Sequence, residues 1–95
     1  MPAYVIAEID VHDPQQYKHY TDAVPATITN AGGRSLAIGG ELAALEGDWH
    51  PKRVVMLEFD DLDAAKRWYE SSEYQKVKQL RDGAAHVRLI AVQGV

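Results

Sequence analysis

Leu45-Glu46-Gly47-Asp48-Trp49-His50-Pro51-Lys52-Arg53-Val54-Val55-Met56-Leu57-Glu58-Phe59 joins a turn with a loop tryptophan to a strand that is apolar on both faces. Val55, Leu57 and Phe59 alternate with Val54, Met56 and Glu58, so neither side of this strand is patterned for water. A strand of that kind is normally covered on both sides. A chain of 95 residues can cover one side with its own helices, and a second copy is the expected cover for the other. The lone carboxylate at Glu58 then points into a polar-spotted space between two subunits.

Working outward, residues 4–11 read as a first strand, with Val5, Ala7, Ile9 and Val11 on one face and Tyr4, Ile6, Glu8 and Asp10 on the other. Asp13-Pro14-Gln15-Gln16 is a helix start: Asp13 caps, Pro14 takes the first helical position, and Gln16 has capping-box spacing. Tyr17, Tyr20, Val24, Ile28 and Ala31 follow as one buried stripe. Pro25 is expected to interrupt and kink that helix, and Gly32-Gly33 to end it. Residues 34–38 form the second strand, closed by Gly39-Gly40. Residues 41–52 are a long excursion, with a short strand expected at 42–46. Asp61 caps a second helix whose apolar side is Leu62, Ala65, Trp68 and Tyr69, and Ser71-Ser72 breaks it. A further helical turn carries Tyr74, Val77 and Leu80 inward, and residues 87–92 form the last strand.

The order strand, helix, strand, strand, helix, strand folds as a split βαβ sheet with both helices on one face. The expected sheet order is fourth, first, third, second, antiparallel throughout. The fold class is α+β, a ferredoxin-like βαββαβ domain over residues 1–95. Its bare face carries Tyr4, Ile6, Val54, Met56, Ile90 and Val92, and a patch of that kind is rarely left in water. Packing against a symmetry mate closes a dimeric α+β barrel.

Composition narrows the function. There are no cysteines, which removes disulfides, thiolate metal sites and a cysteine nucleophile. The formal charge of −4 argues against a nucleic-acid partner. No apolar run approaches the roughly 20 residues that cross a bilayer. Met1-Pro2-Ala3-Tyr4-Val5 enters a strand at once, so no signal peptide and a cytoplasmic location are expected. The histidines lack zinc-ligand spacing, and Glu8-x-Asp10-x-His12 reads as a solvated row rather than a metal site. No cofactor-binding motif is present, and none is expected.

Asp13-Pro14-x-x-Tyr17-x-x-Tyr20, Gly32-Gly33-Arg34, Gly39-Gly40, Leu45-Glu46-Gly47-x-Trp49-x-Pro51, Glu58-Phe59, Trp68-Tyr69, Glu73-Tyr74-Gln75 and Leu80-Arg81 occur in one order. In that combination the chain resembles the bacterial domain-of-unknown-function family 1330, within the dimeric α+β-barrel superfamily. The resemblance spans essentially the whole chain and implies a ferredoxin-like fold and a homodimer. It imports no mechanism, because the wider superfamily includes cofactor-free monooxygenases, lactone isomerases and haem enzymes. Asp60-Asp61 and Ser71-Ser72 stand where Pro-Ser and Ser-Pro pairs often frame the second helix.

By alternation Glu8, Glu58, Arg34 and Arg88 fall on the face that looks into the barrel, with Arg34 near Glu58 and Arg88 near Glu8 or Asp10. They read either as a partly buried site that orients an anionic or carbonyl-bearing ligand or as structural ion pairs at the dimer seam. In the catalytic reading Glu58 is base or acid, Arg34 orients the ligand, and Tyr17 or Tyr20 donates a hydrogen bond. Trp68 and the tyrosines serve as core or as pocket wall. Trp49, in its loop, anchors a partner subunit or lines a ligand site. The expected function is a homodimer binding a small organic molecule, acting by proton transfer or by cofactor-independent oxidation of an enolisable compound. The alternative is a non-catalytic ligand sensor or structural dimer.

Overall fold

Asp13 and Pro14 open the first helix as the spacing predicts: the Asp13 carboxylate accepts the Gln16 backbone N–H at 3.2 Å, and Pro14 sits where no helical N–H is required. The computed structural model describes residues 1–95. They run β1 (Ala3–Val11), α1 (Pro14–Asn30), β2 (Arg34–Ile38), β3 (Arg53–Phe59), α2 (Leu62–Glu70), α3 (Ser72–Lys78), a 3-10 turn (Gln79–Arg81) and β4 (Ala85–Gln93). The sheet order is β2-β3-β1-β4, with every neighbouring pair antiparallel. This is the α+β ferredoxin-like arrangement.

Four local expectations are corrected. Gln16 does not close a capping box; its side-chain amide donates to the Asp82 carbonyl at 2.7 Å, tying α1 to the turn before β4. Pro25 does not interrupt α1, which continues to Asn30, although the Thr21 carbonyl has no proline N–H to accept. Residues 42–46 are not a strand and stay outside the four-stranded sheet. Leu80 points outward, 41% exposed. Arg81, about two full helical turns after Tyr74, points inward in its place.

The turn from α1 into β2 depends on two glycines. Gly32 adopts φ +79°, and the Gly33 N–H reaches back to the Ile28 carbonyl at 2.8 Å, a Schellman closure. At Gly33 a β-carbon would lie 2.6 Å from Phe59 Cε1, so the chain can pass this close to the core only without a side chain. Asp61 caps α2 through the Ala64 N–H at 2.7 Å. Ser71 ends α2 and caps α3 by accepting the Tyr74 N–H at 3.1 Å.

The molecule is a slab of 33 × 31 × 16 Å, the thickness of one sheet and one helix layer. Val5, Leu57, Phe59, Ala65, Trp68 and Tyr74 form the main core between those layers, beside a smaller cluster around Ala7, Ile9 and Tyr17. The other sheet face has no covering element. Its central row, set by register, is Ile90–Ile6–Met56–Ala37, and Ile90 is 64% exposed. No helix is long and apolar enough to cross a membrane.

Candidate functional site

The sheet divides the polar residues into two groups. On its open face the Arg34 guanidinium donates to Glu58, with Nε at 2.9 Å from Oε1. Arg88 donates through Nε to Glu8 Oε1 at 3.0 Å. Both arginines add an Nη2 bond to the same oxygen. These pairings follow from register, since Arg34 lies opposite Glu58 and Arg88 opposite Glu8. The loop tryptophan joins the second pair: Trp49 Nε1–H donates to Glu8 Oε2 at 2.9 Å. Asp10 faces Lys52 at 3.9 Å, and His12 meets His86 edge to face, so the Glu8, Asp10 and His12 side chains turn to different neighbours.

Hydrogen bonds from Arg88 and then Trp49 hold the Glu8 carboxyl below its ordinary value of 4.5. A carboxyl that ionises more easily in the folded chain stabilises the cluster above pH 4.5 and loses that contribution as the pH falls. Trp49 is therefore expected to be released in acid. In a Trp68→Phe background its emission should change as the pH falls below 4.5, the ordinary value of the carboxyl. Adding Glu8→Gln should remove that transition; a transition that persists assigns it to another group.

Behind the sheet, between β-strand side chains and the helices, lies a partly open cavity of about 120 Å³. Its walls are mainly apolar, including Val5, Ala7, Ile9, Val55, Leu57 and Leu89. Tyr17, Tyr20, Thr21, Trp68, Arg53 and Arg81 bring its polar or aromatic groups. The Tyr20 and Tyr74 hydroxyls are 2.9 Å apart. Arg81 Nη2 approaches the Tyr74 oxygen at 3.5 Å, and its guanidinium lies 5.2 Å from the Tyr20 ring centre. Trp68 turns its N–H away from the cavity to Thr27 Oγ1 at 3.0 Å, leaving only ring surface as lining.

Burial pushes the Tyr17 and Tyr20 phenols above their usual range, and for Tyr17 the charges of Arg53 and Arg81 oppose that rise. Both hydroxyls are neutral donors at physiological pH. Neither Arg53 nor Arg81 has a carboxylate partner, since the ion pairs of the chain involve other residues. Their Nε atoms are buried and without a hydrogen-bond partner.

The expected set of Glu58, Arg34 and Tyr17 is thus divided. Glu58, Arg34, Glu8, Arg88 and Trp49 share the open face, while Tyr17, Tyr20 and Trp68 lie on the helix side. Arg53 and Arg81 are cavity residues that sequence reasoning passed over. Arg53 had a signal, because it alternates in phase with Val55, Leu57 and Phe59. Arg81 also had one, seven residues after Tyr74 on the same helical stripe.

Comparison with known proteins places the chain. The family model described as a domain of unknown function (DUF1330) matches residues 2–95. A protein of unknown function from Rhodopseudomonas palustris is similar in structure, with TM-score 0.75 and 18% identity over 99% of this chain and 82% of that one. A dimeric ferredoxin-like protein of unknown function from Thermobifida fusca gives TM-score 0.67 and 15% identity, covering 99% and 92%. SnoaB, a cofactor-independent oxygenase from Streptomyces nogalater, gives 0.66 and 10%, covering 99% and 93%. At these identities the likeness establishes the fold. No curated protein matches the chain.

Proposed function

The chain belongs to the DUF1330 family, and on that footing we propose that it is a homodimer in which each protomer binds a small organic molecule in the cavity between helices and sheet. The observation that carries the binding reading is the lining itself: one mostly apolar, partly open space lined by Tyr17 and Tyr20 and by two arginines without counter-charges. Small-molecule sites combine mostly apolar walls with a few convergent polar groups in this way. The dimer is supported by the open face, where Ile90 and Val92 are 64% and 45% exposed. A fold likeness to a protein described as dimeric points the same way. In this arrangement the Arg34–Glu58 and Arg88–Glu8 pairs lie at the seam between copies, and Trp49, 64% exposed, packs against the second copy.

The cavity lining contains no carboxylate and no imidazole, so a residue base such as Glu58 is not at hand there. Guanidinium groups and neutral phenols instead stabilise an oxyanion. Oxidation by dioxygen suits that lining when the substrate arrives already ionised as an enolate or phenolate, its proton having gone to solvent, so that the lining has only to hold the oxyanion. The fold likeness to a cofactor-independent oxygenase supports the same class.

Native mass spectrometry of freshly purified protein, with a denatured control, tests the reading. The expected spectrum is two chains plus a reproducible small increment that disappears on denaturation. A single-chain mass at micromolar concentration overturns the dimer. Two bare chains that stay bare across a panel of small organic compounds overturn the binding site.

A further inference from the structure

The two arginines facing the cavity differ from those on the open face in one respect. Arg34 and Arg88 each meet a carboxylate within hydrogen-bond distance. Arg53 and Arg81 meet none, yet each buries an Nε–H without an acceptor, and Arg81 is only 8% exposed. An arginine stays protonated at any working pH, so Arg81 is a buried positive charge without a counter-ion and Arg53 a half-buried one beside it in the same lining. Leaving a buried cation unpaired is strongly destabilising. The arrangement is explicable when an anion completes it.

We propose that the cavity binds a small apolar carboxylate, with Arg53 and Arg81 as its anion-recognising residues. This inference rests on the reading of the cavity as a ligand site and gives that ligand its chemical class. Arginine matches a carboxylate by paired, charge-assisted hydrogen bonds. The apolar walls select a carbon body rather than a hydrated inorganic anion. Size narrows it further: an engineered apolar cavity of about 150 Å³ holds benzene, so one of about 120 Å³ suits a molecule of one ring or a short branched chain.

Arg81 is held ready for this role by Tyr74 and by stacking over Tyr20. An open groove beside α2 and β4 shares Val5, Trp68, Arg81, Val87 and Leu89 with the cavity. Arg81 therefore stands where a ligand would pass from the surface inward. Arg53 lines a second depression, together with Tyr17, Lys18 and Thr21.

Benzoate is the probe, compared with benzamide, benzyl alcohol and inorganic phosphate by calorimetry and by thermal unfolding of the full chain. Benzoate is expected to bind and raise the melting temperature, and the other three to do neither. Arg53→Met and Arg81→Met should each weaken benzoate roughly 10- to 100-fold, the loss of one bond to a charged group. Arg53→Met should leave the melting temperature of the ligand-free protein nearly unchanged, because Arg53 is only half-buried and forms no ion pair there, and methionine keeps most of the side-chain volume. That readout is independent of binding and shows that the variant is folded. If benzamide binds as tightly as benzoate, the carboxylate assignment fails while the cavity remains a ligand site. Phosphate matching benzoate overturns the apolar half of the proposal. If no probe binds, or if Arg53→Met keeps full benzoate affinity, the proposal is overturned; failure of all probes also counts against the cavity reading itself.

Discussion

If the proposed homodimer forms through the open sheet face, Met56→Glu is expected to convert it to a monomer without unfolding it. Met56 lies in the middle of the open face, opposite Ile6 on one side and Ala37 on the other. The charged side chains of that face lie in the rows on either side of it, already paired as Arg34–Glu58 and Arg88–Glu8. A new carboxylate at the centre has no cation beside it and adds to the negative charge of Glu8 and Glu58. Covering it with a second sheet removes its water, and a buried unpaired charge costs several kcal/mol. That is enough to raise a dimer dissociation constant roughly 100-fold or more. The face is large enough for the interface: its 33 × 31 Å outline compares with the ~800 Å² per partner of a standard complex. In the monomer residue 56 borders solvent, so the variant keeps its helix and strand signal. Light scattering coupled to size exclusion, with circular dichroism as the folding control, reads the result. A variant that remains dimeric at micromolar concentration would move the interface off this face.

The architecture was legible because each of its determinants is local or periodic. Asp13-Pro14 and Asp61 act within one helical turn, Gly32-Gly33 closes a helix by its own backbone, and period-two alternation separates Val55 and Leu57 from Met56 and Glu58. Register follows from topology, which is why the order of the strands alone sets Arg34 near Glu58. The site was less legible for three physical reasons. Tyr17 and Glu58 were joined as one site although helices on a single face must put a helical tyrosine across the sheet from an outward carboxylate. Arg53 alternates in phase with the core residues of its strand, but nothing in a sequence shows whether an inward arginine finds a partner. The Trp49 bond to Glu8 depends on the path of an irregular loop, and such paths carry no periodic signal. Leu80 and Arg81 exchange roles because steps of three from Tyr74 through Val77 to Leu80 drift about 60° each off a helical face, whereas Arg81, about two full turns after Tyr74, stays on it.

Trp68→Ala should be among the most damaging substitutions in the core. Trp68 is 2% exposed, with its ring centre 4.3 Å from that of Tyr74 and 5.4 Å from that of Phe59. It joins α2 to the sheet and, through Thr27, to α1. Truncating a buried aromatic of this kind costs about 3–5 kcal/mol, a large share of the roughly 5–15 kcal/mol that holds a domain folded. At about 4–8 °C per kcal/mol for a domain this size, the melting temperature should fall by tens of degrees. Trp68→Phe separates the hydrogen bond from the ring. Thr27 Oγ1 still donates to the Val24 carbonyl at 2.8 Å, so losing the indole N–H leaves no orphaned group and should cost about 1 kcal/mol. The deleted indole also borders the 120 Å³ cavity, so Trp68→Ala enlarges a space that is already apolar. Added indole should then refill it and recover part of the lost stability, with a melting temperature that rises with indole concentration. Thermal unfolding of wild type and both variants, with and without indole, reads all three effects. A loss below 1 kcal/mol in Trp68→Ala would mean that the helix layer is held to the sheet without this side chain. Indole rescue of the wild type to the same extent would place the added molecule somewhere other than the cavity wall.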